Sequence, residues 1–224
     1  MPLTLRAQSA QPAPVERAVE QIAEQEEKHE PLLRGLTLSV DVIGIAEKFV
    51  ADYGGYEGAL RVNLKDKYFP TFECGYAFAD KTDETTSIHY KTAAPYFRIG
   101  MDFNILRNKH QGNRLYAGFR GAFTAYEYDN EAPALTDPVW GGTVSNNIYG
   151  VSNSAAWLEL VFGLESEITR HFHMGWSVRY KARLTQKSSD YGDPWYVPGF
   201  GLNGTTRFGA TYNLTFDLPL HRNK

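Results

Sequence analysis

Apolar and polar residues alternate with period two along most of this chain. From Phe97 to Ile105, the residues Phe97, Ile99, Met101, Phe103 and Ile105 fall on one face of an extended strand, and Arg98, Gly100, Asp102 and Asn104 fall on the other. The pattern recurs over about 34–43, 56–65, 70–79, 94–105, 113–127, 155–168, 172–185 and 205–218, which predicts eight strands. The apolar faces carry no charged residue. The opposite faces carry Asp41, Glu57, Glu73, Asp102, Glu159, Glu165 and Asp217 together with Arg61, Arg98, Arg114, Arg120, Arg179, Lys181, Arg183 and Arg207, a near balance of sign.

Alternation alone does not say which face is inside. A soluble barrel or sandwich buries the apolar face, whereas a lipid-embedded barrel turns it outward and fills its lumen with polar groups. Three features favour the second arrangement. Gly75, Gly100, Gly118, Gly163, Gly175 and Gly209 all sit on the charged face, where long Arg and Glu side chains crossing a narrow lumen need small neighbours. Tyr, Trp and Phe cluster near strand ends, as an interfacial girdle does. The connections alternate in length: those at about 44–55, 80–93, 128–154 and 186–204 are long, and those at about 66–69, 106–112 and 169–171 are short. The expected fold is therefore all-β, an eight-stranded antiparallel up-and-down transmembrane β-barrel. A lumen of that size is filled by side chains, so a plug of ion pairs is expected and an open channel is not.

The chain has 224 residues, within the range of one such barrel, with a net charge of −3 that provides no basic field for nucleic acid. Its single cysteine, Cys74, rules out an intrachain disulfide. No apolar run reaches the length of a transmembrane helix, which has no bearing on spanning strands. Residues 1–33 read as the end of a secretory signal followed by a periplasmic tail that is helical or disordered, with a short helix at 14–27, and residues 34–220 read as the barrel.

The strands resemble those of the small outer-membrane β-barrel proteins of Bacteroidota, and most closely an uncharacterised family among them. The residues that carry this are Arg98-Ile-Gly-Met-Asp-Phe-Asn, Leu115-Tyr-Ala-Gly-Phe-Arg-Gly, Ala156-Trp-Leu-Glu-Leu-Val-Phe-Gly-Leu, Tyr196-Val-Pro-Gly-Phe and Tyr212-Asn-Leu-Thr-Phe-Asp-Leu-Pro. The resemblance spans roughly 34–220 and implies a location in the cell outer membrane, a porin-like superfamily and no assigned activity. One departure is the end of the chain, Leu218-Pro-Leu-His-Arg-Asn-Lys, which lacks the terminal aromatic of many such barrels and leaves Phe216 to serve.

Motifs with chemistry are weak. Gly199-Phe-Gly-Leu-Asn-Gly204 matches a dinucleotide fingerprint, but a strand rather than a helix follows it, so a Gly-rich loop is expected. His171 and His173 lie two apart at a short turn without a third ligand, so no metal is expected, and interfacial histidines are the plain reading. Ser87 with His89, and Ser152 with Ser154, are the candidates for a loop-based lipid-modifying enzyme, with no triad legible. The expectation is a non-enzymatic structural or accessory subunit of an envelope assembly, without cofactor. Its lumen network comprises Asp41, Glu57, Arg61, Glu73, Arg98, Asp102, Arg114, Arg120, Glu159, Glu165, Arg179, Arg183 and Arg207. Trp140, Tyr149 and Trp195 are candidate extracellular contacts. Outer-membrane lipid is the expected partner, another envelope protein a further candidate, and nucleic acid is not expected. A narrow porin and the lipid-modifying enzyme are the alternatives.

Overall fold

The computed structural model describes residues 32–106, 112–136, 141–145, 147–187 and 192–220. The tail expected to hold a short helix, and Trp140, lie outside the described residues. In chain order the elements are β1 (Leu33–Asp41), α1 (Ile43–Val50), β2 (Tyr53–Leu64), β3 (Tyr68–Thr82), β4 (His89–Asn104) and β5 (Arg114–Glu131). There follow the short β6 (Leu135–Thr136) and β7 (Thr143–Val144), β8 (Ile148–Thr169), β9 (Phe172–Gln186), the short β10 (Tyr196–Val197) and β11 (Gly201–Leu202), and β12 (Thr206–Pro219).

Eight strands close into a barrel in the order β1-β12-β9-β8-β5-β4-β3-β2, and every pairing is antiparallel. Each long strand pairs with its neighbours in sequence, and β1 with β12 closes the ring. One end carries the tight turns. Between β2 and β3, Lys65 and Asp66 both have positive φ, 56° and 53°, and the Lys67 amide donates to Leu64 O at 3.1 Å. Two left-handed residues in succession give the turn whose twist matches the flanking strands. The Asp66 amide donates to the Asn63 side chain at 2.9 Å and fixes the turn. The other end carries α1, the turn at 83–88, the β6–β7 hairpin and the β9–β12 loop; it is the loop end below.

The structure departs from the sequence reading in extent and not in order. β4 begins at His89 instead of about 94, β5 runs to Glu131, and β8 begins at Ile148 instead of about 155. The hydrogen-bonded ladder there continues past the point where hydropathy stops alternating, because Lys91, Glu127 and Asp129 occupy outward positions. α1 stands where a plain loop was expected.

The two faces of the wall differ sharply. Outward side chains form an exposed apolar belt that includes Phe97, Ile99, Phe119, Phe123, Leu158, Leu160, Phe162, Trp176 and Phe208, with Ile99 at 69% exposure and Phe208 at 78%. Inward side chains are the buried ones, and many are charged: Arg120, Glu73 and Glu165 are each 0% exposed. No helix among the described residues is long and apolar enough to cross a membrane.

Candidate functional site

The lumen holds two packed layers. Toward the turn end lies a connected set of ion pairs. The Arg98 guanidinium pairs with Glu57, with Glu73 at 3.3 Å and with Glu159 at 2.9 Å. Arg179 meets the same three carboxylates, at 3.0 Å (Glu57), 2.7 Å (Glu73) and 3.6 Å (Glu159). Arg120 joins Glu73 at 2.9 Å to Asp102 at 2.8 Å. Arg61 lies 3.5 Å from Asp102 and pairs with Glu165. Arg114 then lies 3.4 Å from Glu165 and pairs with Asp217, whose carboxylate also meets His173 Nε2 at 3.0 Å and accepts from the Thr37 hydroxyl at 2.8 Å. The chain of opposite charges thus runs unbroken from β2 and β8 near the middle of the barrel to β12 at its turn end.

Strand register explains how so many long side chains fit. Gly100 is the ladder partner of Arg120 and Gly118 of Asp102; Gly175 pairs with Glu165, Gly163 with Tyr116, and Gly75 with Tyr96. A Cβ on Gly100 would come within 2.8 Å of Arg120 Cδ, and one on Gly175 within 2.6 Å of Glu165 Cγ. On Gly118, Gly163 or Gly75 it would collide with the carboxylate of Asp102, the ring of Tyr116 or the ring of Tyr96. Each long side chain therefore lies flat across the glycine opposite it. Aromatic faces add to this, with the Arg61 guanidinium 5.0 Å from the Tyr116 ring centre and that of Arg98 4.6 Å from Tyr96.

Toward the loop end the lumen is closed by the β9–β12 loop, which turns inward. Tyr196, Val197 and Phe200 are buried among Ala77, Tyr90, Ala94, Tyr96, Tyr126, Tyr128 and Trp157. Phe200 meets Trp157 edge to face with ring centres 5.7 Å apart, and Tyr90 donates from its hydroxyl to Tyr196 O at 2.7 Å. Gly199 sits at φ +79° with its α-carbon against the ring of Tyr96, so a side chain there meets both backbone strain and the ring. Its carbonyl accepts from Arg98 at 2.9 Å and from Lys181 Nζ at 2.8 Å. The aromatic plug is thereby bonded to the ionic layer beneath it.

Of the residues expected in the network, Glu57, Arg61, Glu73, Arg98, Asp102, Arg114, Arg120, Glu159, Glu165 and Arg179 are brought together, and Asp217 belongs with them. Three are not. Asp41 accepts from the amides of Ile43, Gly44 and Tyr212, each at 3.1 Å, and so starts α1. Arg207 donates to the carbonyls of Leu202 and Asn203, both at 2.8 Å, and Arg183 bonds Gln186 and Asn203. These residues lie near the loop end, beyond the carboxylates, and hold loop backbone instead. Trp195 is not a free surface contact: it is half-buried against Tyr53, Tyr90 and Tyr196, with Lys81 Nζ 5.0 Å from its ring centre. Tyr149 is exposed. His173 is buried inside the barrel and not interfacial, because its strand position faces inward. No cluster of metal-ligating side chains is found among the described residues. His89 Nδ1 lies 3.0 Å from the Thr82 hydroxyl and Nε2 3.4 Å from Asp80, and the Ser152 hydroxyl donates to the Glu127 carboxylate at 3.1 Å. The plug was missed by sequence reading. Its signal was three large apolar residues, Tyr196, Val197 and Phe200, inside an otherwise Gly- and Pro-rich connection.

A family model described as a domain of unknown function, DUF6048, matches residues 3–223. The chain belongs to this family. No curated protein matches it. Among solved structures, the barrel is similar to Ail, the attachment invasion locus protein of Yersinia pestis, solved with the heparin analogue sucrose octasulfate; identity is 12%, coverage 83% of this chain and 94% of that one, and TM-score 0.38. It is also similar to CarO2 of Acinetobacter baumannii, with 12% identity, coverage of 85% and 100%, and TM-score 0.39. At that identity and those TM-scores neither likeness bears on what this DUF6048 member does.

Proposed function

We propose that this DUF6048 protein is a sealed outer-membrane β-barrel, non-enzymatic, with a structural or accessory role in an envelope assembly. The observation that carries this reading is the inversion of its faces: the exposed wall is an apolar belt, and the buried interior is ionic. A water-facing barrel with Ile99, Leu160 and Phe208 outside and ion pairs inside would expose a continuous apolar surface, which monomeric soluble proteins avoid. In lipid the same surface is satisfied, and a closed ring of strands leaves little backbone unpaired. The sequence resemblance to barrels of the Bacteroidota outer membrane, with its porin-like superfamily, agrees with this placement.

The interior supports a seal and not a narrow porin. The network joins opposite walls, and the plug lies over it. Both ring nitrogens of His89 face Thr82 and Asp80, and Ser152 donates to Glu127, which leaves neither in a serine–histidine pair among the described residues. Outer-membrane lipid is the first partner under this reading and another envelope protein the second. Density-gradient separation of envelopes, with heat-modifiable migration of the detergent-extracted chain, tests the location. Crosslinking in whole envelopes tests the accessory role: recovery of one recurrent envelope protein supports it, and recovery of the chain without any partner counts against it.

A further inference from the structure

The barrel wall is not complete at the loop end. β1 stops at Asp41, opposite Asn213 of β12 and just beyond Val40 opposite Gly58 of β2. Above that level Thr206–Thr211 pair only with β9, and Tyr53–Glu57 only with β3. Tyr212 marks the boundary: its amide reaches the Asp41 carboxylate at 3.1 Å and its carbonyl accepts from Val42 at 2.8 Å, so its polar backbone faces the gap. By the two-residue repeat the backbone of Ala210 and Phe208 faces the gap as well. α1 leans on the β2 side, where a Cβ on Gly54 would lie 2.9 Å from the Lys48 amide. Among the described residues no strand pairs with the β12 side there, beside the most exposed outward aromatic of that strand, Phe208.

Behind the gap is a cavity of about 240 Å³. Its lining comes from both edges of the gap, including Gly54, Gly55, Gly209 and Ala210, and from the plug and α1. Four cations line it: Arg98 and Arg179 pair with Glu57, which also lines it, whereas Lys181 and Arg207 bond backbone carbonyls of the plug loop and form no ion pair among the described residues. Glu47 of α1 and Asp41 also line it.

We propose that this cavity is a binding site for the headgroup of a zwitterionic phospholipid, entered sideways through the gap. The phosphate lies at Lys181 and Arg207, the primary ammonium lies toward Glu47 and Asp41, and the acyl chains leave past Phe208 along the outer wall. Bare strand edges are costly in hydrocarbon, and a headgroup supplies the donors and acceptors that cover this one. The paired signs of the lining favour a headgroup with both charges over a purely anionic one. The inference rests on the membrane reading for its supply of lipid, but its test does not.

The folded full-length protein in non-ionic detergent is titrated by calorimetry with dihexanoyl phosphatidylethanolamine and dihexanoyl phosphatidylglycerol. Saturable binding of the first, about ten-fold tighter than the second, is expected. Gly209→Leu fills the cavity and Glu47→Gln removes the carboxylate on α1, outside the barrel wall; each weakens binding by about ten-fold or more, whereas Leu184→Ala on the outer wall does not. Heat-modifiable migration shows that each variant is folded, and if Gly209→Leu is not, Glu47→Gln decides alone. Absence of saturation, equal affinity for the two lipids, tighter binding of phosphatidylglycerol, or variants that bind like the parent each overturn the proposal. Failure here with normal outer-membrane fractionation would refute the site and leave the location standing.

Discussion

Arg120 and Asp102 face each other across the β4–β5 ladder in a two-point ion pair, Nη1 to Oδ1 and Nη2 to Oδ2, both at 2.8 Å. Their register partners are Gly100 and Gly118, so each side chain lies over the other strand's glycine to reach its partner. Asp102 also neighbours Arg61, and Arg120 also neighbours Glu73. The pair is therefore the link between the two halves of the lumen network.

Asp102→Ala removes that link and leaves Arg120 and Arg61 short of a carboxylate. Breaking a buried pair from one side costs about 3–5 kcal/mol, because the remaining charge stays desolvated. Urea unfolding of the protein in lipid vesicles should show a loss of that order. Phe97→Leu, on the exposed wall, should change stability by less than about 0.5 kcal/mol. Equal midpoints for Asp102→Ala and the parent would contradict the network as described.

The glycines give a second contrast. Gly118→Val should destabilise by about 1–3 kcal/mol through overpacking against Asp102. Gly121→Val, three residues on but facing outward, meets nothing nearer than Ile99 O at 4.0 Å and should be near neutral. Unfolding of both variants in one lipid measures the difference directly.

The plug is predicted to come loose before the barrel. Gly199→Ala places a Cβ at φ +79° and into the Tyr96 ring, so the β9–β12 loop should leave the lumen. Limited proteolysis should then cut within 194–202 at least about ten-fold faster than in the parent, while heat-modifiable migration persists, as expected when a local unit opens without global unfolding. Phe200→Ala, at a position buried against Trp157, removes the plug's contact with that ring and should also speed cleavage within 194–202, with heat-modifiable migration kept.

The exposed turn after β3 should respond to acid. Asp83 accepts from the amides of Thr85 at 2.9 Å and Thr86 at 2.8 Å, and these bonds hold its carboxyl below the usual carboxylate range. A lowered folded value means that the turn's extra stability is present above the unfolded value and is lost as pH falls through the folded one. Amide exchange at Thr85 and Thr86 should be protected at neutral pH, should lose protection in strong acid, and should be unprotected at all pH in Asp83→Ala.

The strand count, the order of long and short connections and the separation of faces were legible, because one-residue alternation puts residues such as Arg98 and Ile99 on opposite sides whatever surrounds the sheet. The network was legible as a set of inward residues, but not as a list of contacts. Asp41, Arg183 and Arg207 face inward too, yet they stand near loop backbone that sequence could not place. The tops of β4, β5 and β8 were invisible because Lys91, Glu127 and Asp129 end the hydropathy contrast before the hydrogen bonds end. The plug was hidden for a different reason: its burial depends on a turn at Gly199 that sends Phe200 back into the lumen, a tertiary event without a local period. α1 lacks a side-chain N-cap of its own and is started by Asp41 from the preceding strand.

Cys74 offers the most direct test of the account, because it is native, free and exposed on the outer face of β3 between Phe72 and Tyr76. The folded protein is placed in lipid vesicles and treated with a water-soluble maleimide, and separately with a bilayer-soluble one. An apolar belt that faces hydrocarbon predicts that Cys74 reacts with the bilayer-soluble reagent and resists the aqueous one until the barrel is unfolded. Rapid labelling by the aqueous reagent in the folded protein would contradict it, since the wall would then face water.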